Sequence, residues 1–520
     1  MEPVTTGPTM KRPQMTGGSP DRIPGSARAL ISALSGVAAG FCFWPFRTGF
    51  AAFFVLVPFL AYSGLKDGRG RYLLNSFIFG LCYFMGSLYW IAMLDREQIT
   101  LPWLRLPAAL LLSLYLSLFI LLAGFLIRRI TRLGIPYAIA VALVWGGVEY
   151  LRSLGPLGFP WSSLGYSQTP YLGIVQLASV VGTYGLSAWL ALINGLIATF
   201  LLSPKRSVLV AALLVFSVPT IAGYMMLAGA PEEQDRVRLA LIQPSIDGTI
   251  KWDRAFRDST IKLLTDMTAD APEADMVVWP ETAVPFYIRY NPRELRDIKT
   301  LARAKESYLL VGFPDFSDGE DADRFYNSAL LIDPDGEEAG EYRKIHLVPF
   351  GEMFPFEDRF EILKRVNFGE GDFSPGQDYA VFEVDGMRFG VAICFESIYP
   401  DLVREFVAGG ANAIVNITND EWFGASIGPY QHAQMAVMRA VEFRIGLARC
   451  ANTGMSMFVD PYGRITSRTG LFTRATLTDD VRTGPGRSSY FRAGRVIEAG
   501  MLILILVLGG LSFAVRRGRP

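Results

Sequence analysis

The sequence predicts a multi-pass α-helical membrane domain of about eight spans joined to an external α/β domain. Three observations lead there. Charge is spread unevenly: of the 49 basic and 49 acidic side chains in 520 residues, only 16 lie between Leu30 and Ala230. Seven segments before residue 230 approach the roughly 20 apolar residues that carry a helix across about 30 Å of hydrocarbon, and an eighth lies near the end. Between them, short apolar runs alternate with stretches of helical spacing, the pattern of a layered α/β fold.

Residues 1–27 are rich in Pro, Gly, Ser and Thr and carry Lys11, Arg12 and Arg22. They cannot bury a core, so a disordered tail is expected. No apolar run follows at signal-peptide distance, and the first span is therefore expected to stay as an uncleaved anchor. Spans are expected near 28–44, 49–65, 72–93, 104–127, 135–151, 172–202, 207–228 and 495–515. Loop charge orients them. One set of connections holds 15 Lys and Arg, among them Lys66, Arg69, Arg71, Arg128, Arg129, Arg132, Lys205, Arg206, Arg516, Arg517 and Arg519. The alternate short loops hold only Arg47, Arg96, Arg105 and Arg152. Both termini are expected to be cytoplasmic, with the long segment after the seventh span on the opposite face, the periplasm of a Gram-negative cell. The expected division is a tail at 1–27, seven spans over 28–230, an external domain over 231–490, and an eighth span with a basic tail over 491–520.

Within 231–490, strands are expected at 238–243, 275–279, 308–313, 328–333, 389–394 and 413–417. Helices are expected at 252–268, 293–304, 398–408 and 429–446. Composition excludes several functions. A net charge of zero argues against a nucleic-acid binder that works by bulk positive charge. Four cysteines without a CxxC make no disulfide scaffold, and two histidines without HExxH make a zinc site improbable. No metal or cofactor is expected.

Three stretches carry chemistry, two at the ends of expected strands and one, at Lys344, at the end of a short polar run. Val277-Val-Trp-Pro-Glu281 ends in a carboxylate, Glu341-Tyr-Arg-Lys344 in an ammonium, and Gly390-Val-Ala-Ile-Cys394 in a thiol. Such ends gather at one edge of a sheet, where α/β enzymes build sites. A thiol with a pKa of about 8.5 is only a few per cent thiolate at neutral pH. A carboxylate in reach can take its proton and return it to a leaving group. A fixed ammonium stabilises the thiolate and a tetrahedral oxyanion. Singly, each residue has a structural use: the cysteine as core filler, the glutamate as a turn cap, the lysine as a solvated cation. Their order and local sequences raise them together.

WPET at 279–282, the YRK–IHLVPFGE run from Tyr342 to Glu352, and ICFES at 393–397 resemble the three motifs of the nitrilase, or carbon–nitrogen hydrolase, superfamily over roughly 235–480. Gly158-Phe-Pro-Trp161, Gly165-Tyr-Ser-Gln168 and Asn419-Asp-Glu-Trp-Phe-Gly424, with the spans, resemble the apolipoprotein N-acyltransferase branch. The resemblance implies an αββα sandwich with Glu281 as general base and acid, Lys344 as oxyanion stabiliser and Cys394 as nucleophile. It makes Glu352 a further carboxylate beside Lys344, and Glu396 and Asn327 are expected to support the site. It departs at Phe395, where the branch often has Tyr. The implied reaction moves an acyl chain from a phospholipid of the bilayer, through a Cys394 thioester, to the α-amine of an S-diacylglyceryl-cysteine on an apolipoprotein, with ping-pong kinetics.

Trp252, Trp422, Phe423 and Glu149 are expected at the substrate entrance, Glu149 either there or paired at i,i+3 with Arg152. Residues 350–363 alternate aromatics with charges and read as a lid or as a surface loop. Gly424-Ala-Ser426-Ile-Gly428 matches GxSxG, but no acid lies between it and His432, the only later histidine, so a serine triad is rejected. His346 and His432 are read as structural. Asn416 lies on an expected buried strand and is not a glycosylation site, and Cys450 is expected buried and unpaired. An amidase tethered to the membrane stays open as the alternative; a transporter is disfavoured by the few charges within the spans.

Overall fold

The computed structural model describes residues 23–45, 47–65, 68–94, 102–231, 235–318, 323–353, 373–484 and 486–514. The expected N-terminal tail falls almost wholly outside them, as do most of the expected lid and the terminal arginines.

The apolar half forms α1 (Gly25–Gly40), α2 (Val57–Tyr62), α3 (Arg69–Ser87), α4 (Arg105–Ile130), α5 (Tyr137–Arg152), α6 (Leu172–Val175), α7 (Ala178–Leu202) and α8 (Arg206–Ala228). With α14 (Ser489–Ala514), five helices among the described residues are long and apolar enough to cross a membrane: Gly25–Phe43, Arg105–Leu133, Ala178–Leu202, Arg206–Ala228 and Ser489–Ala514. Two expected spans are not single helices. Over 49–65 the chain makes a 3₁₀ stretch, Thr48–Phe53, and then α2 with a proline at its start. Breaking a helix there frees backbone polar groups that hydrocarbon cannot satisfy. Asn194 of α7 takes them over, accepting from Leu56 N at 3.0 Å and donating to Ala52 O at 2.8 Å. Over 172–202 the break between α6 and α7 is followed by a second at Gly182 (φ 70°, ψ 179°), a conformation open to glycine.

Two six-stranded sheets follow. Their strands are β1 (Arg236–Gln243), β2 (Met276–Val278), β3 (Tyr308–Asp318), β4 (Asp323–Ile332), β5 (Glu338–Arg343), β6 (Val381–Val384), β7 (Met387–Ile393), β8 (Ala413–Thr418), β9 (Gly446–Ala451), β10 (Met457–Val459), β11 (Ile465–Arg468) and β12 (Ala475–Arg482). The orders are β12-β1-β2-β3-β4-β5 and β11-β10-β9-β8-β7-β6, with β1–β2–β3 and β7–β8–β9 parallel. Period-two alternation sorts the faces. Leu239 and Leu241 share a core with Phe389, Val391 and Ile393 of the other sheet, while Ala240 and Ile242 pack under Leu264 and Ile298.

Those last residues belong to α10 (Arg257–Ala269) and α11 (Pro292–Lys305), outside the first sheet; α9 (Gly248–Lys251) is one turn ahead of them. The helix expected from 252 starts later because the Asp253 carboxylate caps Ala255 N and opens a 3₁₀ turn first. On the far side lie α12 (Pro400–Ala408) and α13 (Gly428–Phe443), completing the αββα layers.

Helix α13 is buried on all sides. Ala433, Ala436 and Ala440 join the core of the second sheet, and Met435, Met438 and Val441 join the core of the apolar half. The two halves therefore share a helix. Replacing Asn194 by Leu strands Leu56 N and Ala52 O in an apolar setting, at about 1–3 kcal/mol for each buried group left unpaired. The thermal midpoint of detergent-purified protein should fall by several degrees; an unchanged midpoint would remove Asn194 from this role.

Candidate active site

Strand β2 ends at Val278, and Pro280 cannot continue the ladder. The chain turns at Glu281 and Thr282, the latter with φ 46°. Two contacts hold the turn. Gly312 of β3 lies beneath it, so close that a Cβ there would sit 2.3 Å from Pro280 O. Lys251, at the end of α9 and 2% exposed, donates to Thr282 Oγ1 at 2.6 Å and to Glu281 O at 3.4 Å.

Lys344 follows the last residue of β5, and its N–H bonds Asn327 O at 2.8 Å. Its ammonium, 1% exposed, lies 2.7 Å from Glu352 Oε1 and 3.3 Å from Glu281 Oε1. Asn327 Nδ2 bridges the same two carboxylates at 2.8 and 3.2 Å. The other Glu281 oxygen accepts from Asn419 N at 2.7 Å, just past β8, and the other Glu352 oxygen from Val348 N at 2.9 Å. Burial alone would weaken the ammonium, but Glu352, Glu281 and Cys394 outweigh it and hold Lys344 charged above its ordinary range.

Cys394 follows the last residue of β7 and opens a 3₁₀ turn, Cys394–Ile398. Its φ of 52° is left-handed, a conformation that costs a non-glycine residue roughly 1–3 kcal/mol and is found where a scaffold over-determines it. The side chain is partly exposed and not disulfide-bonded. Burial of the sulfur, with the Glu281 carboxylate adding to it, pushes the thiol well above its ordinary range, and Lys344 pulls the other way. At neutral pH the group is therefore a thiol.

Glu396 accepts from Ile393 N, Ile345 N, His346 N and the Tyr342 hydroxyl at 2.7–3.0 Å, and burial pushes its carboxyl up to about 7. It ties the cysteine turn to the lysine loop.

The structure thus brings Glu281, Lys344, Cys394, Glu352, Asn327 and Glu396 together. Trp252 is exposed next to Lys251. Trp422 and Phe423 sit in the turn after β8, and Phe423 packs edge-on against Trp90 at 4.8 Å. Glu149 is buried in α5, accepting from Trp145 Nε1 and Leu164 N, both at 2.9 Å. No ion pair among the described residues joins it to Arg152, which instead holds the carbonyls of Phe159 and Trp161. Together the two brace the loop at 158–168 within the apolar half.

Ser426 Oγ accepts from Gly428 N, and Asn416 of β8 donates to Ala392 O. Cys450 is buried in β9 and unpaired. His346 stacks on Tyr399 at 4.8 Å. Sequence reasoning did not single out Lys251 or the Asn419 amide. For Asn419 the signal was present in the NDEWFG stretch; nothing in the sequence marks Lys251 as buried.

Because the folded thiol ionises above the ordinary value of about 8.5, its reactivity should appear later on the pH axis than that of free cysteine. Alkylation of Cys394 by iodoacetamide, followed by peptide mass spectrometry, should still climb beyond pH 9. A plateau below pH 8 would contradict this electrostatic picture.

The chain matches two family models, Carbon-nitrogen hydrolase over residues 238–487 and Apolipoprotein N-acyltransferase N-terminal domain over residues 35–196. It is 38% identical to an apolipoprotein N-acyltransferase of Geobacter metallireducens, covering 93% of this chain and 95% of that one. It is 35% identical to the apolipoprotein N-acyltransferase of Brucella melitensis, over 94% and 96%. Among solved structures it resembles Saccharomyces cerevisiae Nit3, a member of branch 10 of the nitrilase superfamily, at 22% identity, over 52% of this chain and 95% of that one, with a TM-score of 0.37. The apolar helices are those of a bacterial membrane protein. Matched along almost its whole length, the chain belongs to the apolipoprotein N-acyltransferase family.

Proposed function

We propose that this chain transfers an acyl chain from a membrane phospholipid, through a thioester on Cys394, to the N-terminal α-amine of an S-diacylglyceryl-cysteine on an apolipoprotein. One observation carries the reading: the turn that bears the cysteine packs directly on the apolar half. Phe395 stacks on Phe159 at 6.3 Å and on Trp161 at 6.4 Å, and Tyr399 donates to Gly158 O at 3.2 Å. A thiol so close to membrane helices suits substrates that are lipids. An amidase for soluble substrates has no need of that contact.

In the first half-reaction Glu281 takes the thiol proton as Sγ bonds the ester carbonyl carbon. The oxyanion is stabilised by the Lys344 ammonium, which Glu352 and Asn327 hold in place. The C–O bond then breaks, and Glu281 returns the proton to the departing glycerol oxygen, releasing a lysophospholipid. In the second half the neutral α-amine attacks the thioester. Glu281 takes the amine proton, the C–S bond breaks, and the proton ends on sulfur. Trp252, Trp422 and Phe423 would line the entrance, and Glu149 would act at a distance through the loop at 158–168. The site would face the periplasm, with residues 231–490 outside the membrane and both termini cytoplasmic.

The test follows labelled acyl chains from phospholipid to a synthetic diacylglyceryl-cysteinyl peptide. Cys394→Ala should abolish transfer while the protein still inserts and melts as the parent does. Glu281→Gln should lose about 10²–10⁴-fold, the usual worth of a positioned acid–base group. Lys344→Met should lose about 10²–10³-fold, as for other oxyanion donors. Full transfer by Cys394→Ala would end the assignment. Hydrolysis of small amides with no lipid acylation would favour the tethered amidase.

A further inference from the structure

His432, in the first turns of α13, is fully buried and lies beside the cysteine turn from behind. Its Nε2 is 3.1 Å from Cys394 O and 3.3 Å from Ser397 Oγ. A carbonyl only accepts, so Nε2 carries a proton toward it. Ser397 Oγ donates to the same carbonyl at 3.0 Å. On the other side of the ring, Nδ1 is 3.0 Å from Asp420 Oδ1 and 3.1 Å from Arg449 Nη2; with the proton on Nε2, Nδ1 accepts from that guanidinium, which Asp420 holds in place. Arg449 Nη2 holds both Asp420 oxygens, at 3.0 and 2.7 Å, and its other terminal nitrogen bonds Asn416. Trp161 and Phe423 pack on the imidazole, each at 5.7 Å between centroids. All three polar side chains are buried.

We propose that His432 is a positioning residue: its Nε2–H clamps the Cys394 carbonyl and so fixes where the thiol points, while Asp420 and Arg449 set the imidazole. The left-handed φ of Cys394 is the reason a clamp is needed, since that peptide would relax if its carbonyl were released. The trans peptide plane then carries the constraint into the turn that follows. Because Trp161 forms one wall of the ring's pocket and donates to the neighbouring Gln431 at 2.7 Å, the apolar half takes part in holding the nucleophile. The proposal rests on the reading of Cys394 as the nucleophile.

The test compares His432→Gln, His432→Asn and His432→Phe in the full-length protein. Gln places an amide nitrogen near the position of Nε2, whereas Asn reaches only as far as Nδ1 and keeps only the contacts with Arg449 and Asp420. Two readouts are taken: kcat and KM for acyl transfer, and the rate of iodoacetamide alkylation at Cys394, which needs no lipid. Gln should stay within about fivefold of the parent in both, whereas Asn and Phe should lose about 100-fold in kcat with KM little changed, as for a reacting atom misplaced by about 1 Å. Alkylation of the Asn and Phe proteins should slow by about tenfold or more for the same reason. Asn matching Gln in both readouts would overturn the clamp, even if Phe fails to fold. If the parent transfers no acyl chain but alkylation still separates Gln from Asn, the functional reading falls and the clamp stands. If the parent transfers and Gln and Asn coincide, the clamp alone falls.

Discussion

A buried carboxylate must be paired or it will not stay ionised, and Glu281 is the carboxylate around which this site is organised. Its two oxygens collect Lys344 Nζ, Asn327 Nδ2 and Asn419 N, which arrive from the end of β5, from β4 and from the end of β8. Satisfying one acid therefore joins elements of both sheets. Lys344 is bound by the same requirement, since an ammonium out of water between Glu281 and Glu352 keeps its charge only because both acids are there. The backbone under Glu281 is pinned in turn by Gly312 and Lys251. The base, the cation and the carboxylate that holds the cation are thus one electrostatic unit, and removing the lysine would leave the two carboxylates without their cation.

The sulfur stands apart from that unit in how it is held. It is fixed by backbone conformation, at a left-handed residue whose carbonyl is gripped from α13 and whose turn is tied to the lysine loop through Glu396. Helix α13 faces the second sheet with one side and the membrane helices with the other. The apolar half is consequently a wall of the site as well as an anchor, and Trp90 and Trp161 from two of its loops meet on one glutamine, Gln431.

Much of this was legible in the sequence, for identifiable reasons. The buried parallel strands β1, β2, β7 and β8 read as short continuous apolar runs. The glutamate, lysine and cysteine each sit just past a strand, inside motifs specific enough to name. Strand β5 was not legible, because it is an edge strand whose exposed Glu338 and ion-paired Glu341 break the apolar pattern. The broken stretches around Pro58 and Gly182 were missed because composition alone reports how apolar a segment is, and the rescue of its freed backbone by Asn194 comes from a helix more than a hundred residues away. His432 read as structural for a similar reason: its partners Cys394, Asp420 and Arg449 are gathered only by the packing of three strands and a helix.

The central claim is that the half-buried thiol of Cys394 carries the acyl chain between the two lipids. The most direct measurement is the mass of the Cys394 peptide after the full-length protein has met phospholipid with no amine acceptor present. The account predicts one added acyl chain on Cys394, removed by hydroxylamine, and one lysophospholipid released for each adduct. Lysophospholipid released with no adduct, or an acyl chain found on another residue, would contradict it.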